Sequence, residues 1–296
     1  MPTLLVEGQP VSLLALLVLG AVVGYIAGIF GVGGGFLLTP MLTVFLGIPP
    51  AIAVGSGLCQ MIGTAVVTFL RRRSARQGEP RFDLFMMGGS LLGVDAGSRL
   101  LAALSKAGSV VFLGRPRPLV VLVAEGLFAA VLLGVAALFW WQGGADGSGA
   151  DPEPRPGPLA RLSLPMRIAL PSAGFSVSAL AMAYTGLFLG LMSGLLGVGG
   201  GVLLLPVLVH GFGFSIRHAA GTGIVVLLAS SCLGTFLNAL RGSVHLGVVL
   251  PLLVASSLSA QLGARLSRRL PARAMRRGFA LLCLATVAVL LWHLLG

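Results

Sequence analysis

Charge is scarce in this chain. Asp, Glu, Lys and Arg make up 9% of its 296 residues, against roughly 25% in a soluble globular protein. That scarcity excludes a water-soluble fold. Acidic residues are the rarest, 8 against 20 basic ones. Metal-binding patterns are missing too. Cys59, Cys232 and Cys283 lie far apart in apolar stretches and read as buried thiols. His210, His218, His245 and His293 share no helical face. No Gly-Lys-Ser/Thr run offers a P-loop, and Phe36 and Val202 stand where a dinucleotide fingerprint needs its last glycine. Neither a metal nor a cofactor is expected. The start, "MPTLLVEGQP", carries no positive region, so no cleavable signal peptide is expected and the first apolar segment is retained.

What the chain has in plenty is apolar length. Hydrophobic residues make up 56%, and the mean hydropathy is +1.02. A membrane helix needs ~20 apolar residues. Such runs lie near 11–31, 50–70, 84–104, 118–141, 177–197, 216–237, 246–264 and 274–295. The expected fold is an all-α, multi-pass membrane protein of the cell (inner) membrane, with the lipid bilayer as its solvent. The net charge of +12 sits mostly in short loops between these runs. It reads as the positive-inside topology signal and not as a nucleic-acid surface.

Two shorter apolar pieces, 35–46 and 201–212, each follow a Gly-Val-Gly-Gly-Gly run. They mark an internal repeat. At an offset of 166 residues, Gly31-Val32-Gly33-Gly34-Gly35 falls on Gly197-Val198-Gly199-Gly200-Gly201, Pro40 on Pro206, and Gly97 and Arg99 on Gly263 and Arg265. Residues 1–141 form a first transmembrane repeat and 168–296 a second. Between them, 142–167 is a Gly/Pro-rich stretch expected to be a flexible, exposed linker. Each repeat would hold four long spans and one short, broken or re-entrant helix. If the short pieces cross, five crossings per half make the repeats inverted. The basic loop residues then divide 15 inside against 4 outside, the outside set being Lys106, Arg115, Arg117 and Arg241. With four crossings they split almost evenly, so inverted repeats are favoured.

A helix that ends inside a membrane leaves backbone groups unpaired, and hydrocarbon cannot satisfy them. Such a break is tolerated where it is buried in protein or lines a wet cavity. Gly33, Gly34, Gly35, Gly199, Gly200 and Gly201 can turn successive N–H groups towards one point, and the helix that follows adds its positive end. The product is an anion site made of backbone. Pro40 and Pro206 follow as helix-break residues. Gly20, Gly24 and Gly28, like Gly186, Gly190 and Gly194, keep the four-residue spacing of helix packing instead.

These features resemble the TauE/SafE family of sulfite exporters, also called the toluene-sulfonate uptake permease family. The likeness rests on "GxGGGxxxxP" twice, on "AVGSG" (53–57) and "AAGTG" (219–223), and on "G-x-R-L" closing the third long span. It covers both halves and leaves out 142–167, which is longer and richer in proline than the resemblance leads one to expect. It implies a transporter of sulfite, organosulfonates or related anions, with no choice of substrate among them.

Other intramembrane polar residues are candidates because they are costly there. Ser56 and Thr222 match across the repeat; each hydroxyl either donates to an anion or bonds its own helix. Gln60 lies one turn after Ser56 and is placed in the same cavity. Arg99 is either an anion clamp or a snorkelling interfacial residue, and Asp95 one turn earlier is spaced to neutralise it. Asp95 and Glu125 are the candidates for proton coupling. The reading is a secondary transporter of small anions, with a homo-oligomer left open. A passive anion channel is the alternative within that class. An integral-membrane enzyme would need a His, Asp, Glu or Cys cluster that the sequence does not offer.

Overall fold

The computed structural model describes the chain except residues 1–2, 7–8, 31–33, 74–78, 113–114, 143–155, 163–164, 171–173, 199, 215–218, 220–221, 268–269 and 296. Its helices are α1 (Leu13–Phe30), α2 (Gly35–Leu46), α3 (Pro50–Arg73), α4 (Pro80–Lys106), α5 (Leu119–Gln142) and α6 (Ala179–Leu196). There follow α7 (Gly201–Pro206), which runs on as a wider π-helical turn (Val207–Phe212), α8 (Ile224–Leu240), α9 (Leu246–Ser267) and α10 (Ala272–Leu295).

Among the described residues, five stretches are long and apolar enough to cross a membrane: Leu13–Phe30, Leu119–Trp140, Ala179–Leu196, Leu246–Leu266 and Arg277–Leu294. The outward face matches a hydrocarbon solvent. On α9, Leu246, Leu250, Val254, Leu258 and Leu262 recur every four residues and are all exposed. A soluble protein does not leave such a ridge in water. Helices α3 and α4 are less apolar, and α3, α4 and α8 carry the buried polar residues Ser56, Gln60, Asp83, Ser90, Ser98, Ser230 and Ser231. The chain is therefore a multi-pass membrane protein with polar groups turned inward.

Helix packing follows one pattern. α1 packs on α9 and α6 on α4; α3 packs on α8 and α5 on α10. Glycine sets the first two contacts. A Cβ at Gly20, Gly24 or Gly28 would press into the backbone of Leu252, Ser256 or Ala260; one at Gly186, Gly190 or Gly194 would press into Met86, Ser90 or Val94. Each of these contacts recurs with both partners moved by 166 residues.

Three two-stranded antiparallel hairpins among the described residues were not legible in the sequence. They pair Thr3–Val6 with Gln9–Ser12, Ser109–Phe112 with Arg115–Pro118, and Arg167–Leu170 with Phe175–Ser178. Each runs directly into a helix, α1, α5 or α6. The hairpin satisfies N–H groups that a helix start leaves over. Ala179 donates its N–H to the Met166 carbonyl at 2.9 Å, and Leu119 to Gly108 at 3.0 Å.

Two expectations change. The span placed at 216–237 is interrupted by a turn at Thr222 and Gly223, where Gly223 takes φ 85° and α8 starts at the next residue; 216–218 and 220–221 lie outside the described residues. The stretch 142–167 is not wholly an exposed linker. Its residues 143–155 and 163–164 lie outside the described set, but Gly157 and Leu159 donate N–H groups to Phe212 and Gly211 at 3.1 and 2.8 Å. Those carbonyls end the π-helical turn and need donors. Ala160 beside them is buried.

Candidate functional site

Both glycine breaks fold alike. Gly34 has φ 78° and ψ −17°, and α2 starts at the next residue. Gly200 has φ 74° and ψ −11°, and α7 starts at the next residue. A positive φ at both positions is why glycine stands there. Leu37 and Leu38 donate to the Gly34 carbonyl, and Leu204 donates to that of Gly200. The N–H groups of Gly35 and Phe36, and of Gly201 and Val202, then have no acceptor within their own helices. All of these residues are buried. Gly33 and Gly199 lie outside the described residues.

The two breaks meet. A Cβ on Gly35 would stand 3.1 Å from the Gly197 carbonyl oxygen, and one on Gly197 would stand 2.9 Å from the Thr39 hydroxyl. Phe36 packs on Phe279 of α10, the ring centroids 5.6 Å apart and the planes at 62°. Thr39 Oγ1 is buried and has no hydrogen-bond partner, whereas Thr43 one turn on bonds back to the Thr39 and Pro40 carbonyls. A buried polar atom without a protein partner calls for an explanation, a water or a ligand among them. α2 continues through Pro40 to Leu46. At Pro206 the helix widens into its π-helical turn. The chain direction thus breaks at the glycines, and the prolines lie within the short helices.

The remaining predicted residues are dispersed. Ser56 is fully buried and accepts the His245 N–H at 3.2 Å. Thr222 lies in the turn before α8 with its hydroxyl buried and unpartnered. Gln60 donates from Nε2 to Ser256 Oγ at 2.6 Å, tying α3 to α9, and its Oε1 is unpartnered. Arg99 pairs with Asp95 at 2.9 Å, with side-chain exposures of 74% and 34%. That pair faces out of the bundle, away from the buried breaks. Glu125 is buried and pairs with His293 at 3.0 Å.

Asp83 was missed by sequence reasoning. It is buried, and its Oδ1 accepts the N–H of Gly223 at 2.6 Å. Gly223 is a third buried glycine of positive φ opening a helix. Here the protein itself supplies the carboxyl group that such a start attracts. Nothing in the sequence links positions 140 residues apart. Removing that group leaves a buried N–H unpaired, at a cost of about 1–3 kcal/mol. Asp83→Ala is expected to lower the thermal midpoint of the detergent-solubilised protein, with Asp83→Asn intermediate. Equal midpoints for all three would contradict the cap.

The sequence pattern described as Sulfite exporter TauE/SafE matches residues 16–290 of this chain. The chain belongs to the TauE/SafE family. Among its TauE/SafE relatives, a "Probable membrane transporter protein YunE" of Bacillus subtilis (strain 168) is 24% identical over 275 residues, covering 88% of this chain and 90% of that protein. A "Probable membrane transporter protein" of Haemophilus influenzae is 25% identical over 284 residues, covering 91% and 94%. No solved structure matches the chain. As a TauE/SafE protein with membrane-spanning helices, it is a membrane transporter that acts on a small molecule within a lipid bilayer.

Proposed function

We propose that this protein is a secondary transporter of small anions, of the sulfite or organosulfonate type, in the cell (inner) membrane. The observation that carries the reading is the pair of buried, positive-φ glycine helix starts, Gly34 and Gly200, whose segments meet in the middle of the fold. Backbone N–H groups and two helix dipoles favour an anion there without a buried cationic side chain. The unpartnered Thr39 and Thr222 hydroxyls are further donors in the interior. Asp83 on Gly223 is an example, within the same chain, of an acid group taken by a helix start of this kind.

The two halves act as inverted repeats with the anion site between them, a common arrangement in secondary transporters. The contacts that recur at the 166-residue offset support duplication. Five crossings per half require α2 and the α7 segment to cross. At 12 residues each spans ~18 Å, so the bilayer is locally thin or the chain extends beyond the helix. Single cysteines decide this. Arg81→Cys and Arg161→Cys are expected to react from the cytoplasm, and Lys106→Cys and Arg241→Cys from outside. Arg81 and Arg241 on one side would exclude the inverted arrangement.

Function is tested by flux into proteoliposomes of sulfite, sulfoacetate, sulfate and lactate. Saturable flux with exchange between the two sides is expected for one of these classes. Flux that never saturates would make the protein a passive channel, and no flux of any anion would remove the anion reading. The membrane potential, ~2.3 kcal/mol per charge per 100 mV, drives an anion outward unaided. Uptake needs a coupled ion.

A further inference from the structure

We infer that the solute path runs through the interior between α3, α4, α6 and α8, where the hydroxyls of Ser231, Ser193, Thr235 and Ser98 hold a file of single waters leading to the second glycine break. The inference goes beyond the anion reading and needs only that the chain transports a small molecule.

All four hydroxyl oxygens are enclosed and have no hydrogen-bond partner. Ser98, Ser193 and Ser231 are at most 1% exposed. A helical serine or threonine can satisfy its hydroxyl on the carbonyl one turn back. This chain does so at Ser105, Thr185 and Thr286, at 2.9, 2.7 and 2.9 Å. The four do not. A buried hydroxyl left in that state costs about 1–3 kcal/mol.

The repeat supplies the control. At the 166-residue offset Ser98, Ser193 and Ser231 fall on Ala264, Ala27 and Ala65. Those alanines stand in α9, α1 and α3. α1 packs on α9 and α9 on α3, as α6 packs on α4 and α4 on α8. Alanine fits this framework, then, and carries no unpaired group. Among the described residues of α1, α3 and α9, Gln60 Oε1 is the one enclosed polar side-chain atom without a partner. The serines are kept for a partner that the protein does not supply. Each hydroxyl donates once, accepts twice and carries no charge. That suits water, and a polar solute that moves with it.

Helix register orders the four. Asp83 accepts the Gly223 N–H and Ser90 Oγ bonds Ser230 Oγ, so α8 runs beside α4 with partners 140 residues apart. Gly186, Gly190 and Gly194 lie on Met86, Ser90 and Val94, so α6 runs beside α4 with partners 100 apart. Ser231, Ser193, Thr235 and Ser98 then stand level with positions 91, 93, 95 and 98 of α4. At about 1.5 Å per residue the steps along the axis are ~3, ~3 and ~4.5 Å. The first two match the spacing of hydrogen-bonded waters. The lowest step adjoins the Ser90–Ser230 bond of 2.6 Å. The highest, Ser98, has its backbone nitrogen beside Gly194 in the last turn of α6, where the second break begins.

Two measurements on the full chain test this. The first uses a background in which Cys59, Cys232 and Cys283 are replaced by alanine. Single cysteines are introduced as Ser98→Cys, Ser193→Cys and Ser231→Cys, and in the equivalent set as Ala264→Cys, Ala27→Cys and Ala65→Cys. N-ethylmaleimide reacts with the thiolate, which forms where water reaches, so the serine set is expected to label roughly tenfold faster than the alanine set. Equal rates in the two sets overturn the water file. The second is the triple variant Ser98→Ala, Ser193→Ala and Ser231→Ala. It is expected to keep or raise the thermal midpoint and to lose most of the wild-type flux in proteoliposomes. A lowered midpoint would show that the hydroxyls serve the fold, and full flux in the folded variant would take the path elsewhere; either overturns the inference. If the wild type carries none of sulfite, sulfoacetate, sulfate and lactate, the anion reading fails, and the labelling rates still decide the path.

Discussion

Gly34→Val and Gly200→Val are expected to abolish saturable anion flux while the protein still inserts and runs as a single species in detergent. Both glycines hold φ near the left-handed region, 78° and 74°. A β-branched residue there costs about 1–3 kcal/mol and relaxes by turning the peptide. Turning the peptide redirects the N–H groups of Gly35 or Gly201, the groups proposed to hold the anion. The two sites differ in space. A Cβ at Gly34 stands 3.0 Å from the Ala27 Cβ, while one at Gly200 finds its nearest neighbour, the Leu189 carbonyl oxygen, at 3.7 Å. Gly200→Ala is therefore the cleaner probe, since it changes conformation without crowding. Gly134→Ala, where an added Cβ meets nothing within 4 Å, is the control. Full flux in folded Gly34→Val and Gly200→Val would return these glycines to packing.

The proposed reason for breaking a helix in mid-membrane draws support from the comparison of Gly223 with Gly34 and Gly200. All three are buried glycines of positive φ that open a helix. At Gly223 the positive end is taken permanently by Asp83, which ties α4 to α8. At the other two the neighbouring side chains are apolar or hydroxylic: Val23, Ala27 and Met61 near the first, Leu189 near the second, with the Thr39 hydroxyl beside Gly197. A charged lysine or arginine in these places would be expensive to bury. Backbone donors carry no net charge, so they can wait unoccupied at lower cost. A transporter needs such a site, one that exists both with and without its ligand.

How far this could be read in advance depended on the range of the interactions. Local signals sufficed for α1, α2, α5, α6, α9 and α10, whose apolar runs and glycine punctuation are contiguous in the chain. The apolar run at 216–237 gave no sign of the turn at Thr222 and Gly223, whose N–H is bonded by Asp83 from another helix. The hairpins escaped notice because their strands have four residues each and lie against longer apolar runs. Among the candidate site residues, Gly34 and Gly200 take the positive φ that glycine permits, a local property of the chain. Arg99 was legible as a charge but not as to direction, and it turns outward with Asp95. Thr39 and His293 gained meaning only from neighbours, Gly197 and Glu125, that lie far along the chain.

The largest effect on stability is expected at the glycine stripes. Gly24→Ala and Gly190→Ala should each lower the thermal midpoint sharply or prevent recovery of folded protein. Hydrophobic burial does not drive helices together within lipid; close packing and backbone approach do. The α1–α9 and α4–α6 contacts are built on that approach. A methyl at Gly24 falls on the Ser256 backbone, and one at Gly190 on that of Ser90. Neither backbone can move without shifting its whole helix, so the added group costs about 1–3 kcal/mol or more. In an open helical position the same change is stabilising by about 1 kcal/mol. Gly88→Ala, with nothing within 4 Å, should accordingly hold or raise the midpoint. The two stripes lie at separate interfaces, so the double variant should show the sum of the single losses. Midpoints measured by fluorescence-detected chromatography after heating would show this. If Gly24→Ala and Gly190→Ala behaved like Gly88→Ala, the helices would not be held in backbone contact, and the shared framework around the two breaks would have to be drawn differently.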